Sequence, residues 1–357
     1  MADLPTLAPW AREAVAAGCV IPAHPLALTA DGEFDAAHQR ALTRYYAAAG
    51  AGGVAVAVHT TQFEIRDPAI ALLRPVLELA RETLDEIERS GGPRLLRIAG
   101  VCGRTAQALE EAALARDLGY HVALLSLAAL PSADDDELIR HCAQVAGAIP
   151  LFGFYLQPAV GGRRLGSDFW RRFAEIPNVV GIKIAPFNRY MTMDVVRGVA
   201  ASGRAGQVAL YTGNDDNILP DLVTRFDVQV AGRRVSQRIV GGLLGHWAVW
   251  TRKAVEVFGR VPSLAAGQPV PADLLALGAQ VTDCNAALFD AANDFAGCIA
   301  GVQAVLADQG LLSSPRTLDP RQSLSPGQAD EIARIRRDYP HLIDDDFVSA
   351  HLREWLS

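Results

Sequence analysis

The chain has 357 residues, half of them hydrophobic and 20% charged, with a formal net charge of −7. That balance excludes a disordered chain and argues against nucleic acid or an anionic membrane surface as a partner. No apolar run approaches the ~20 residues of a membrane helix, the start lacks signal-peptide features, and five cysteines (Cys19, Cys102, Cys142, Cys284 and Cys298) without a CxxC pair point to reduced thiols in a cytoplasm.

In chain order, strands are expected at 19–23, 53–58, 95–99, 122–127, 150–155, 179–185, 208–211 and about 239–244. Most are continuous apolar runs, as in parallel strands buried on both faces. Helical patterns lie between them. The stretch 35–49 opens on an Asp35 cap, 69–90 ends at Gly91-Gly92, and 105–118 opens on a Thr105 cap. The stretch 134–146 has an acidic first turn and stops at Gly147; 167–176, 192–202, 216–225 (capped by Asp216) and 247–258 follow. Eight β-then-α units predict an α/β fold, a (β/α)8 TIM barrel over residues 1–260. The stretch 227–237 exceeds a simple turn and is expected to be an inserted loop. Helical segments at 271–310 and 325–338 predict an appended C-terminal helical layer, 261–357, packed on the barrel.

Of 33 basic residues only Lys183 and Lys253 are lysines; the rest are arginines. Lys183 lies inside the apolar run Val179-Val180-Gly181-Ile182-Lys183-Ile184-Ala185, and alternation puts it on one face with Gly181 and Ala185. Lysine is almost never fully buried unless paired. Desolvation lowers an ammonium pKa, and a neutral amine condenses with a carbonyl to a Schiff base. The bland alternative is a rim lysine whose ammonium reaches water.

Gly181-Ile182-Lys183-Ile184-Ala185 resembles the sixth-strand lysine motif of the dihydrodipicolinate synthase and N-acetylneuraminate lyase family. Three segments extend the resemblance in order. His59-Thr60-Thr61 is similar to that family's Gly-Thr-Thr stretch, Tyr155-Leu156-Gln157-Pro158 to its Tyr-Asn-x-Pro motif, and Gly213-Asn214-Asp215 to its Gly-x-Asp segment. The resemblance covers roughly residues 18 to 318. It implies a class I aldolase or lyase on a (β/α)8 barrel, acting on a small-molecule 2-oxo acid and assembled as a homodimer or homotetramer. It implies a covalent imine on Lys183, with no metal and no other cofactor. Tyr155 would relay protons, with Thr60 beside it as a catalytic residue, and Thr60 and Thr61 would hold the substrate carboxylate.

Departures restrict the substrate. The synthases' Arg-Thr-Gly after the proline is replaced by Ala159-Val160-Gly161-Gly162, with arginines only at Arg163 and Arg164. Their tyrosine pair is replaced by Ser126-Leu127-Ala128-Ala129. Both losses favour the sialic acid lyase branch over condensation; dehydration of a 2-oxo sugar acid would use the same lysine. Gly213, Asp215 and Asp216 are candidate contacts for hydroxylated substrates, and Arg189 for an anionic group. His59, His24 and His246, at strand ends, are candidate acids or bases. With Glu64 or Asp215 they raise the alternative of a metal-dependent aldolase. A metabolite-binding barrel without catalysis is the other alternative.

Overall fold

The computed structural model describes residues 4–261 and 268–357. Among these described residues nine strands run in chain order: β1 (Val20–Pro22), β2 (Gly53–Val56), β3 (Leu96–Val101), β4 (Val122–Leu125), β5 (Leu151–Leu156), β6 (Val179–Ala185), β7 (Ala209–Thr212), β8 (Arg225–Val230) and β9 (Arg233–Leu244). All but β8 are followed by a helix, the element order of a (β/α)8 barrel. The chain divides into two compact units, Met1–Cys19 with Leu96–Leu243, and Val20–Leu95 with Leu244–Ser357. The expected boundary near residue 260 falls inside the second.

In the first unit β3, β4, β5, β6, β7 and β9 pair in parallel in that order. β4, β5 and β6 are buried along their whole length, which is why they read as unbroken apolar runs. Helices Thr105–Asp117, Asp135–Ala146, Ser167–Glu175 and Arg189–Ala201 follow successive strands. Asp134 caps the second of these, accepting from the Glu137 amide at 2.8 Å. Thr105 is not the cap of its helix: Arg104 holds that position, and the threonine hydroxyl lies 2.9 Å from His141 Nδ1. Helix Arg189–Ala201 starts three residues before the expected 192, because Asn188 accepts from the amides of Tyr190 and Met191. Gly198 lets it approach helix Ser167–Glu175: a Cβ there would meet Ser167 O at 2.6 Å and Trp170 Cβ at 2.7 Å.

The stretch expected as an inserted loop, 227–237, is instead most of an antiparallel hairpin, β8 on β9. Its turn residues Ala231 and Gly232 have φ of 48° and 78°, the double positive φ that hairpin turns require. The sequence hid it, since Ala-Gly is a poor hairpin signal and exposed arginines dilute the alternation of Val228, Val230 and Val235. Helix Pro9–Ala17, also unexpected, offers the Val15 carbonyl to the Tyr211 hydroxyl at 2.9 Å.

In the second unit β1 and β2 meet through the parallel bridge Ala23–Ala55, and helices Ala36–Ala49 and Leu73–Arg89 follow them. Asp35 caps the first, accepting from the His38 amide. The pattern at 271–310 is two helices, Ala272–Leu288 and Cys298–Asp308, broken where Asp290, Asp294 and Phe295 take positive φ. A last helix, Asp345–Trp355, was not expected. Asp344 ties it in: its carboxylate accepts from the Tyr45 hydroxyl at 2.8 Å, the Arg252 amide at 3.0 Å and Gln309 Nε2 at 3.0 Å.

Candidate active site

Lys183 is buried, 8% exposed, in β6. Its register partners are Phe154 on β5 and Tyr211 on β7. Residues paired across parallel strands share a face, so amine, phenyl and phenol stand in one row. Lys183 Nζ lies 4.5 Å from the centre of the Phe154 ring, a cation–π distance. Room for the lysine comes from glycine. A Cβ on Gly213 would come within 2.6 Å of Lys183 Cε and 2.7 Å of Ala185 Cβ. The Gly213 amide donates to Ile184 O at 2.7 Å, holding that close approach. Below, Gly181 makes way for the Phe152 ring, which packs 5.4 Å from Tyr211. Ser126 continues the row two residues beyond Leu124, the partner of Phe152, and is buried. Sequence reasoning noticed Ser126 only as the absence of a tyrosine.

Tyr155 is not in this row. It pairs with Ile184, one step past Lys183, so its side chain projects from the opposite, helix-facing side. Its ring packs 5.1 Å from Trp170, and its hydroxyl donates to Leu165 O and accepts from Leu165 N, both at 3.0 Å. Burial raises the phenol's pKa, which the Leu165 contact partly offsets. The expected phenol–amine pair is therefore corrected. A motif match fixes the position of a tyrosine along the strand, but the pleat decides its face, and here it gives Lys183 a phenylalanine.

The arginines are also engaged. Arg189 Nη1 bonds Asp221, with Asp216 3.8 Å from Nη2, so its expected role as an open anion contact is corrected. Arg163 Nη1 donates to the carbonyls of Leu130 at 2.9 Å and Ala133 at 2.8 Å, which leaves it holding a loop. Asp216 does not cap a helix; the short helix Ile218–Val223 starts after Asn217. Burial raises the Asp216 carboxyl pKa, Arg189 opposes this and Asp221 adds to it. Asp215 is buried, 8% exposed.

In the second unit His24 is completely buried. Its Nε2 lies 2.9 Å from Thr43 Oγ1, and its Nδ1 lies 2.8 Å from Pro25 O and 2.9 Å from Gln39 Nε2. Burial pulls its pKa down to about 4, with the Pro25 contact opposing. His246 is likewise buried and pushed down to about 4 by desolvation, against Asn285. Both are corrected from titrating groups at an open mouth to neutral interior imidazoles. Thr60 Oγ1 donates to Ala23 O at 2.8 Å and Thr61 Oγ1 to His24 O at 2.6 Å, so both hydroxyl protons brace the end of β1. His59 is half-buried, its ring 6.0 Å from Phe63. Among the described residues no three His, Cys, Asp or Glu side chains are grouped to hold a metal ion. The ring nitrogens of His24 are already committed to protein partners.

No family model matches the chain. It is 32% identical over 188 residues to a 4-hydroxy-tetrahydrodipicolinate synthase from Aromatoleum aromaticum, spanning 52% of this chain and 59% of that one. It is 29% identical over 170 residues to the enzyme of the same name from Thiobacillus denitrificans, spanning 45% and 55%. The chain is thus similar to dihydrodipicolinate synthases over about half of its length. It spans little more than half the length of these curated relatives. Solved structures extend the likeness in fold. An Acinetobacter baumannii dihydrodipicolinate synthase complexed with pyruvate aligns with a TM-score of 0.71 at 20% identity, over 91% of this chain and 99% of that one. CdNal from Clostridium difficile, in complex with mannosamine, gives 0.70 at 15% identity, over 90% and 99%. The fold is a (β/α)8 barrel with C-terminal helices. Among the described residues no helix is long and apolar enough to cross a membrane.

Proposed function

We propose that this chain is a Schiff-base-forming lyase or aldolase that acts on a 2-oxo acid through Lys183. The observation that carries the reading is a primary amine buried in a parallel strand, against an aromatic face and a glycine that makes room for it. In its neutral form such an amine has a lone pair for attack on a ketone. The amine adds to the ketone carbon, the carbinolamine loses water, and the resulting iminium accepts the electron pair of the C3–C4 bond as it breaks. The cleaved fragment leaves as an aldehyde as its C4 hydroxyl gives up a proton, the enamine left behind takes a proton at C3, and hydrolysis of the resulting imine restores the amine.

Dehydration of the carbinolamine needs a proton donor. Tyr155 is spent on Leu165, so we assign that work to Ser126, which lies in the lysine's row. Gly213 and Asp215 border the substrate in this reading. Cleavage is favoured over the condensation that names the curated relatives, because Arg163 is committed to backbone carbonyls where a second substrate carboxylate would need it. A homo-oligomer in the cytoplasm is part of the same proposal.

The test is to incubate the protein with pyruvate and a panel of longer 2-oxo acids, reduce with borohydride and map the adduct by peptide mass. An adduct on the peptide holding Lys183, and none on that holding Lys253, is expected. No adduct with any donor would overturn the reading. Ser126→Ala should slow adduct formation by roughly 10²-fold, the worth of one positioned proton donor.

A further inference from the structure

Bonded to both chain neighbours of Gly213 is a buried carboxylate that sequence reasoning did not single out. Asp221 is 2% exposed. One oxygen accepts from Thr212 Oγ1 at 2.7 Å and Asn214 Nδ2 at 2.9 Å; the other accepts from Arg189 Nη1 and from Asn217 Nδ2 at 2.9 Å. Four donors fill about all the lone-pair sites a carboxylate has. Burying a charge is costly unless it is paired and bonded in this way.

The donors are not arbitrary. Thr212 and Asn214 flank Gly213 in sequence, and both donate to Asp221, so the carboxylate holds the backbone on either side of the glycine that touches the lysine stem. Asn214 reaches one loop further. Its Oδ1 accepts from the Phe187 amide at 3.0 Å, and Phe187 holds φ of 51°, a left-handed conformation unusual for a bulky residue. Arg189, two residues on, closes the circuit back to Asp221. The carboxylate thus ties together the segments that leave β6 and β7, the two strands that carry Lys183 and Gly213.

We infer that Asp221 is a positioning residue for the Lys183 amine: it holds Gly213 against the lysine stem and so fixes where the nitrogen points. This rests on the imine reading for its catalytic meaning, but not for its test. Asp221→Asn keeps the size of the side chain and turns an NH2 toward two donors, so one oxygen's pair of bonds is lost. Asn214→Ala cuts the link to Phe187 and leaves the carboxylate in place.

The experiment exploits the two lysines of the full-length chain. Each variant is labelled by reductive methylation with formaldehyde and borohydride, and the rates at Lys183 and Lys253 are followed by peptide mass. Lys253 is the internal reference, since it is remote in sequence and paired with Glu256 at 3.0 Å. In both variants the Lys183 rate is expected to change by about threefold or more with Lys253 unchanged. Trapping of a 2-oxo acid at Lys183 should slow by ~10- to 100-fold, the scale of an ångström misplacement, with full final stoichiometry and little change in half-saturation. A Lys183 labelling rate equal to wild type in folded Asp221→Asn or Asn214→Ala overturns the inference. So does a fall in stoichiometry alone, which reports lost folded protein. Altered Lys183 labelling in a protein that traps no 2-oxo acid upholds the positioning role and removes the imine reading.

Discussion

Two buried polar networks sit at strand ends, and they do opposite kinds of work. The one around His24 is built from an imidazole, two side chains and a carbonyl, with the ring held neutral. The one around Asp221 is built on a carboxylate facing a guanidinium and three neutral donors. Strand-end position pointed to the first as a place for chemistry and gave no hint of the second. The difference lies in what each network grips. His24, Gln39 and Thr43 join the end of β1 to the helix after it, whereas Asp221 grips the segment that touches the lysine stem. On the proposed reading, a polar residue at the C-terminal end of a barrel strand gains functional meaning from its connection to the amine, not from its position alone.

The largest effect expected on either side of this contrast is at the amine itself. Lys183→Arg keeps the charge and removes the imine-forming nitrogen. Borohydride trapping should vanish in a variant whose circular dichroism matches wild type; an adduct of undiminished yield would end the proposal. The His24 network should answer to pH instead. Its folded-state pKa of about 4 lies below the ordinary imidazole value near 6.5, so between these limits the unfolded chain binds the extra proton. The stabilisation is complete above about pH 6.5 and is lost as pH falls toward 4, amounting to roughly 3 kcal/mol. Urea unfolding of His24→Gln at pH 7 and pH 5 should show a shallower loss than wild type over that interval. Parallel slopes would mean that the imidazole is not held neutral in the fold.

Much of this architecture was legible in the residues. Uninterrupted apolar runs gave β4 through β7 to within two residues at each end, because strands buried on both faces tolerate little else. The single lysine of β6 stood out against 31 arginines. What stayed hidden depends on directions that a one-dimensional pattern does not carry. Tyr155 and Phe154 are adjacent, and only the register with β6 decides which of them meets Lys183. Arg189 reads as a free cation until Asp221 is seen beside it, 32 positions away. The hairpin of β8 and β9 turns on an alanine with positive φ, a conformation the sequence does not advertise.

The smallest expected effect is the sharpest check on the face assignment. In Tyr155→Phe the ring keeps its packing on Trp170 and only the hydroxyl is lost. That hydroxyl bonds Leu165 O and N, so its removal leaves one backbone donor and one acceptor short of a partner. The cost should be about 1–3 kcal/mol in unfolding free energy. The rate of adduct formation at Lys183 should stay within about threefold of wild type, since the phenol projects from the opposite side of β5. A large loss of trapping rate with unchanged stability would mean that the phenol reaches the amine during the reaction. The proton work assigned to Ser126 would then return to Tyr155, and β5 would have to present its two aromatic neighbours differently from the pairing of Phe154 with Lys183.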